Sequence, residues 1–219
     1  MKTSLATLGL FAFGTTLCLS QGFVNLNFES AKFVSDPSSG YYPASVYANK
    51  AIPGWTAYAG ASILSEILSN TASLSGGMVS IIGNNNDLGF PPVEGQYYVL
   101  LVGANYAGSF NTAGIGQTET IPLNAASLIF WGDFPTDGVS FNGQTVATFQ
   151  TGSTPLYNIY AANISAYAGQ TGQLLFTTHP AGINYLDNLQ FSNLPVPEPE
   201  SLALLVVGGL LGIWRWKRS

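Results

Sequence analysis

Histidine and cysteine, which serve many enzymes as base and nucleophile, occur only once each in this sequence. His179 is the single histidine and precedes Pro180 in loop-like sequence, and the single cysteine, Cys18, lies in an apolar N-terminal stretch. The sequence contains neither a serine-centred nucleophile elbow nor an HExxH motif. The segment after Cys18 therefore offers no thiolate chemistry, no disulfide and no recognisable nucleophile–base pair.

Carboxylates are the remaining candidates for catalysis. Two carboxyl groups about 5 to 9 Å apart can hydrolyse a glycosidic bond, and the sequence offers Asp133 and Asp137 with Glu94 or Glu119. Acids in turn-like sequence are usually just solvated. We therefore predict that the chain is not an enzyme, and a polysaccharide-acting enzyme is the least favoured alternative.

Aromatic side chains suggest a different chemistry, the binding of sugars. Aromatic rings stack on the apolar faces of sugar rings, while nearby polar groups orient the hydroxyls. Tyr41, Tyr42 and Tyr106 lie in loop-like sequence and are the sugar-binding candidates. Trp55, which follows a Pro-Gly pair, and Trp131, within an apolar stretch, are predicted to belong to the core.

The pattern of short β-strands dominates the segment that carries these residues. Apolar and alternating stretches predict ten strands, at 23–28, 62–68, 78–82, 96–102, 127–131, 139–141, 145–150, 156–161, 174–178 and 186–191. Asn142-Gly143 between two of them indicates a type I′ hairpin. A single helical turn is expected within 161–167. Many short strands with closely spaced turns favour an all-β, antiparallel β-sandwich.

The distribution of charge excludes nucleic acid as a partner. Charged residues make up only 8% of the 219 residues, and hydrophobic residues make up 47%. Between residues 21 and 196 two lysines, Lys32 and Lys50, stand against nine acids, which gives a net charge of −7. Such a segment cannot neutralise a run of phosphates.

The N-terminus has the features of a secretory signal peptide. Lys2 precedes an apolar stretch over 5–19, and Cys18 and Ser20 place small side chains at the −3 and −1 positions of a cut after Ser20. We therefore predict a signal peptide over 1–20 and a mature chain that begins at Gln21. An uncleaved anchor helix is the alternative.

Three elements follow one another at the C-terminus. Pro197-Glu198-Pro199 cannot continue a strand or helix. The apolar stretch 202–214 would form a helix of about 20 Å, shorter than the roughly 30 Å of a bilayer core. Arg215, Lys217 and Arg218 form a basic end suited to the cytoplasmic interface. This order indicates that the helix holds the chain in the membrane only transiently, until a processing enzyme acts on it. A permanent tail anchor is the alternative.

This tail resembles the PEP-CTERM sorting signal of Gram-negative bacteria that make exopolysaccharide, although Trp216 interrupts its basic cluster. The resemblance implies that exosortase, a membrane transpeptidase-like enzyme, recognises residues 195–219. It also implies export to the cell envelope, the cell surface or the extracellular matrix.

The middle segment, 21–194, resembles the galactose-binding-like jelly rolls, a superfamily that includes many carbohydrate-binding modules. The resemblance rests on short motifs in a fixed order, namely Asn27-Phe28-Glu29, Pro53-Gly54-Trp55, the stretches 94–100 and 115–121, and Tyr185-Leu186-Asp187-Asn188. It implies a jelly-roll sandwich whose first and last strands lie side by side.

The same resemblance implies a structural Ca²⁺ ion between those two strands. Members of the superfamily commonly hold such an ion, and Glu29 and Asp187 stand at the matching positions. Carboxylate oxygens are the ligands that Ca²⁺ prefers. The alternative is that Asp187 caps a turn and Glu29 is an ordinary surface acid.

Three functions remain open from the sequence. A non-catalytic surface or matrix protein that binds extracellular polysaccharide is favoured. A structural or adhesion module without sugar affinity is the second candidate, and an enzyme is the third.

Overall fold

The computed structural model describes residues 22–75, 77–86, 88–89, 91–106, 109–134 and 137–196. The predicted signal peptide and the predicted membrane helix at 202–214 lie outside these residues. No helix within the described ranges is long and apolar enough to cross a membrane.

The chain folds as an all-β sandwich of two large sheets, as predicted. The larger sheet has eight strands in the order β1 (Ser45–Tyr47), β4 (Glu66–Ser69), β5 (Met78–Gly83), β6 (Tyr97–Val102), β16 (Ile183–Ser192), β10 (Ser127–Asp133), β14 (Asn158–Asn163) and β13 (Thr148–Ser153). Neighbouring strands in this sheet are antiparallel, except for β4 and β5, which run parallel to each other. The galactose-binding-like character of the sandwich stays a hypothesis.

The second large sheet and the small elements complete the fold. The sheet has six strands in the order β12 (Gln144–Thr145), β11 (Val139–Phe141), β15 (Thr171–Thr177), β9 (Ala113–Thr120), β2 (Thr56–Ala59) and β3 (Ser62–Leu64). A separate hairpin joins β7 (Ala104–Tyr106) to β8 (Ser109–Asn111). Among the described residues the helical elements are α1 (Ala48–Ala51) and a 3₁₀ turn (Ser165–Tyr167). The 3₁₀ turn lies inside the range 161–167, where a helical turn was expected.

The core lies between the two sheets and is rich in aromatic rings. Phe130 of β10 is stacked on Tyr160 at 5.5 Å and meets Phe176 of β15 edge-on at 5.3 Å. Trp55, which directly precedes β2, is only 4% exposed and contacts Phe176, and this confirms the prediction that it is a core residue. These contacts join strands far apart in sequence.

The prediction of a first strand over 23–28 is wrong. Asn25 and Phe28 have left-handed φ angles of 51° and 59°, so this segment turns rather than extends. Phe28 packs on Trp55, whose indole Nε1 donates to the carbonyl of Asn25. One backbone bond, from the amide of Leu189 to the carbonyl of Leu26, still holds the segment beside the last strand.

A β-bulge in β16 decides which way its side chains point. The pairing of β10 with β16 shifts between Ile129 and Trp131, so that two residues of β16, Asn188 and Leu189, lie opposite one residue of β10. Asn188 takes a φ of 46°, which asparagine tolerates better than most residues. Beside this bulge Asp187 is buried.

Candidate functional site

The Asp187 carboxylate is wholly buried and anchored by backbone amides. It is 0% exposed; its Oδ2 accepts from the amide of Glu94 at 3.1 Å and its Oδ1 from the amide of Asn188 at 2.7 Å. Burial raises the pKa of Asp187 to about 7. The two hydrogen bonds from the backbone amides lower the pKa of Asp187 and so oppose the effect of burial, while the charges of Glu29 and Glu94 raise it further.

The Glu29 carboxylate is held by the same loop that anchors Asp187. Its Oε1 accepts from the amides of Gln96 at 2.8 Å and Tyr97 at 3.0 Å. Gly95 has a φ of 64°, and a Cβ on it would lie 2.4 Å from that Oε1. Only a glycine therefore lets the backbone curl so closely around the carboxylate. Glu29, Glu94 and Asp187 form what we call the carboxylate site.

The calcium prediction concerns two members of the carboxylate site. The charge of Glu29 acts on Asp187 and contributes to its raised pKa, although Glu29 lies in a turn and not in a strand. Ca²⁺ takes six to eight oxygen ligands. Within the described ranges no group of three or more His, Cys, Asp or Glu side chains could hold a metal ion. Bound calcium stays a prediction.

Tyr41 and Tyr42 are exposed, as predicted. Tyr41 is 52% exposed and Tyr42 is 58% exposed. Tyr106, predicted in a loop, lies instead in β7, where it pairs with Ser109 of β8.

Trp131 is not a core residue, which corrects the prediction. Its neighbour Phe130 points into the core, so the alternation of the strand turns Trp131 to the opposite face, where it is partly exposed. There it stacks on Tyr157 at 5.2 Å with an interplanar angle of 13°. Asp187 and Ile159 are its partners on the neighbouring strands.

The catalytic candidates are spread over different elements. His179 Nε2 lies 2.8 Å from Asp137 Oδ1, and both side chains are about 60% exposed. An exposed pair of this kind contributes little stability. Asp133 ends β10, whereas Glu119 lies on β9 in the other sheet, opposite Gly172.

The C-terminal segment follows directly on this sandwich, since β16 ends at Ser192. Residues 195–219 match the family model of the PEP-CTERM protein-sorting motif. The chain carries a PEP-CTERM sorting signal. Its predicted sorting residues are inside the matched range and outside the described residues: Pro197, Glu198, Pro199, Arg215, Lys217 and Arg218.

The PEP-CTERM motif implies processing by exosortase and export to the cell envelope or surface. No curated protein and no solved structure matches the chain.

Proposed function

We propose that the sandwich is a non-catalytic surface module that binds extracellular polysaccharide through Tyr41 and Tyr42. The exposure of these two adjacent rings, 52% and 58%, is the observation that carries the proposal. Large aromatic surfaces on a rigid support are the usual means of stacking against sugar rings. The PEP-CTERM tail supports a location at the surface of a Gram-negative bacterium that makes exopolysaccharide, where such a ligand would be present.

The loop that presents the two rings is held by its own hydrogen bonds. The carbonyl of Tyr41 accepts from the amides of Ala44 at 2.8 Å and Ser45 at 3.2 Å. The amide of Tyr42 donates to the carbonyl of Ser39 at 3.2 Å. A loop fixed in this way loses little entropy when a ligand binds.

Buried Asp36 ties the base of this loop to the sheet. Its amide donates to the carbonyl of Ser45, the first residue of β1, at 3.0 Å. Its Oδ1 accepts from both the amide and the hydroxyl of Ser38, and these bonds lower the pKa of Asp36. The carboxylate thus stays ionised and keeps the loop in place.

Binding of polysaccharide isolated from the producing cells tests the proposal. The exported protein should be retarded in a gel that contains this polysaccharide. Replacing both Tyr41 and Tyr42 with alanine should abolish the retardation, because each stacked ring contributes on the order of 1 kcal/mol. Replacing both with phenylalanine should preserve most of it, since the ring faces remain.

Leu123→Ala is the surface control, because Leu123 is 87% exposed and lies elsewhere on the chain. Unchanged retardation of the double alanine variant would refute these residues as the site. No retardation of the wild-type protein would favour the structural or adhesion module. Release of reducing sugar ends from the polysaccharide would favour an enzyme.

A further inference from the structure

A second apolar cluster lies on the outer face of the eight-stranded sheet. Side chains alternate along β6, so Val99 and Leu101 enter the main core while Tyr98, Leu100 and Val102 point away from it. These three are nevertheless 3%, 6% and 1% exposed. The outer face of a two-layer sandwich is normally solvated. This part of the face is instead covered by the chain.

The chain that covers this apolar cluster leaves a cavity of about 280 Å³ above it. Its floor includes Tyr98, Leu100 and Tyr185, and Leu88 and Val93 line it from the segment between β5 and β6. This volume lies close to the lower end of small-molecule sites, about 300 Å³.

Three aliphatic side chains that line the cavity are also exposed. Leu74 is 65%, Leu156 64% and Ile183 56% exposed, although they come from three separate parts of the chain. Single exposed aliphatic residues need no explanation, but several gathered around one cavity indicate an apolar binding surface.

The Tyr98 hydroxyl is the polar group of this cavity that lacks a protein partner. Among the described residues none forms a hydrogen bond with it, whereas the Tyr185 hydroxyl donates to the carbonyl of Leu156 at 3.1 Å. Burial, with a smaller effect from Tyr185, raises the pKa of Tyr98 to about 12. The hydroxyl therefore stays protonated and can donate to a ligand.

The charges near the cavity disfavour an anionic ligand. Asp187 follows Tyr185 by two residues on the same strand, and the charge of Asp133 acts on Tyr185. The described residues that line the cavity include no lysine or arginine. An anion would thus enter an apolar, acidic environment without a counter-charge.

We propose that this cavity binds a neutral aliphatic molecule with one hydrogen-bond-accepting oxygen, which accepts from the Tyr98 hydroxyl. A cavity of about 150 Å³ holds benzene, so this one accommodates roughly ten carbon atoms. The site is separate from Tyr41 and Tyr42 and does not depend on sugar binding.

Titration of the exported protein with three ten-carbon probes tests the site. 1-Decanol, n-decane and decanoate have the same chain but differ in the oxygen and its charge. The wild-type protein should bind 1-decanol best, n-decane less well and decanoate worst. Equal or tighter binding of decanoate, or no binding of 1-decanol, would overturn the proposal.

Tyr98→Phe removes the hydroxyl and keeps the ring. It should weaken 1-decanol binding about 2- to 10-fold and leave n-decane binding unchanged, since one hydrogen bond is lost. Tyr58→Phe, on β2 of the six-stranded sheet and outside the cavity, should change neither. If Tyr98→Phe binds 1-decanol as tightly as the wild type, Tyr98 is not the donor and the proposal fails. Unaltered retardation by polysaccharide in Tyr98→Phe would show that the two sites are independent.

Discussion

Asp187 is the residue whose environment differs most from that of an ordinary carboxylate. Its pKa in the folded protein, about 7, lies above the ordinary value of 3.8, with burial as the main cause. Between these values the folded state binds more protons than the unfolded state. The free energy of unfolding must therefore fall as the pH rises through this window.

Asp187→Asn should remove that pH dependence. The wild-type protein should lose up to about 4 kcal/mol of stability between pH 4 and pH 8 through this group, because one pKa unit corresponds to about 1.4 kcal/mol. The variant keeps one acceptor oxygen instead of two, so at pH 4 it should be about 1 kcal/mol less stable than the wild-type protein. Because the amide does not ionise, this position should cost the variant no further stability up to pH 8, where it should be the more stable of the two proteins. Urea unfolding at several pH values measures both effects.

Asp133→Asn provides the matched control. Asp133 is an exposed carboxylate one strand away, so its variant should keep the pH dependence of the wild type. A pH profile of Asp187→Asn that is as steep as the wild-type profile would show that Asp187 is not the titrating group.

Calcium bound at the carboxylate site should contact the same residue, Asp187, and stabilise the folded protein. An ion bound between Glu29 and Asp187 would stabilise the fold by about 2.7 kcal/mol at a hundred times its dissociation constant. Adding EDTA should then lower the thermal midpoint, and Glu29→Gln should abolish that response. A midpoint that does not change with EDTA at neutral pH would reject the ion.

At the scale of elements, the hairpin between β11 and β12 is the clearest success of local sequence reasoning. Asn142 and Gly143 both have left-handed φ angles, 49° and 75°, as a type I′ turn requires. Phe141 pairs with Gln144 across this two-residue turn. The Asn142 side chain also accepts from the amide of Gln173 at 3.0 Å, which ties the turn to β15.

Gly143→Ala should destabilise the protein by about 1 kcal/mol, because alanine is strained at a positive φ. Nothing lies within 4 Å of the position of the added Cβ, so the backbone alone would account for the loss. Gly40→Ala is the control, since its Cβ would also meet open space and its φ is not left-handed. Equal unfolding midpoints for the two variants would contradict this explanation.

Other elements were not predictable from local pattern. β9 (Ala113–Thr120) contains two glycines and several polar residues, so it lacks the signature of a strand. A Cβ on Gly114 would lie 2.8 Å from the carbonyl of Phe176 on β15, which explains the glycine by a contact with a distant strand. The outer-face cavity did leave a signal, because 97–102 is apolar at both odd and even positions and must be covered on both faces.

At the scale of the whole molecule, the PEP-CTERM tail governs where the sandwich is displayed. Replacing Pro197, Glu198 and Pro199 with alanines should leave unprocessed precursor in the membrane of a host that has exosortase. Fractionation followed by mass determination measures the processing. Asn193→Ala, outside the matched residues, should be processed normally. Normal processing of the triple variant would favour a simple tail anchor.

The sequence by itself determined the β class, the Asn142-Gly143 turn and the sorting signal. Each of these depends on residues close together in the chain, where strand alternation, turn geometry and motif order act. Local pattern was also sufficient to identify Tyr41 and Tyr42 as exposed rings and Trp55 as part of the core.

Only the tertiary structure decided the turn at 23–28, the outward face of Trp131 and the burial of Asp187. Each depends on a partner far away in sequence. Packing on Trp55 imposes the turn at Phe28, and the amide of Glu94, 93 residues away, anchors the Asp187 carboxylate. Burial shifts the Asp187 pKa because the distant chain excludes water from the carboxylate, and no local pattern encodes that exclusion.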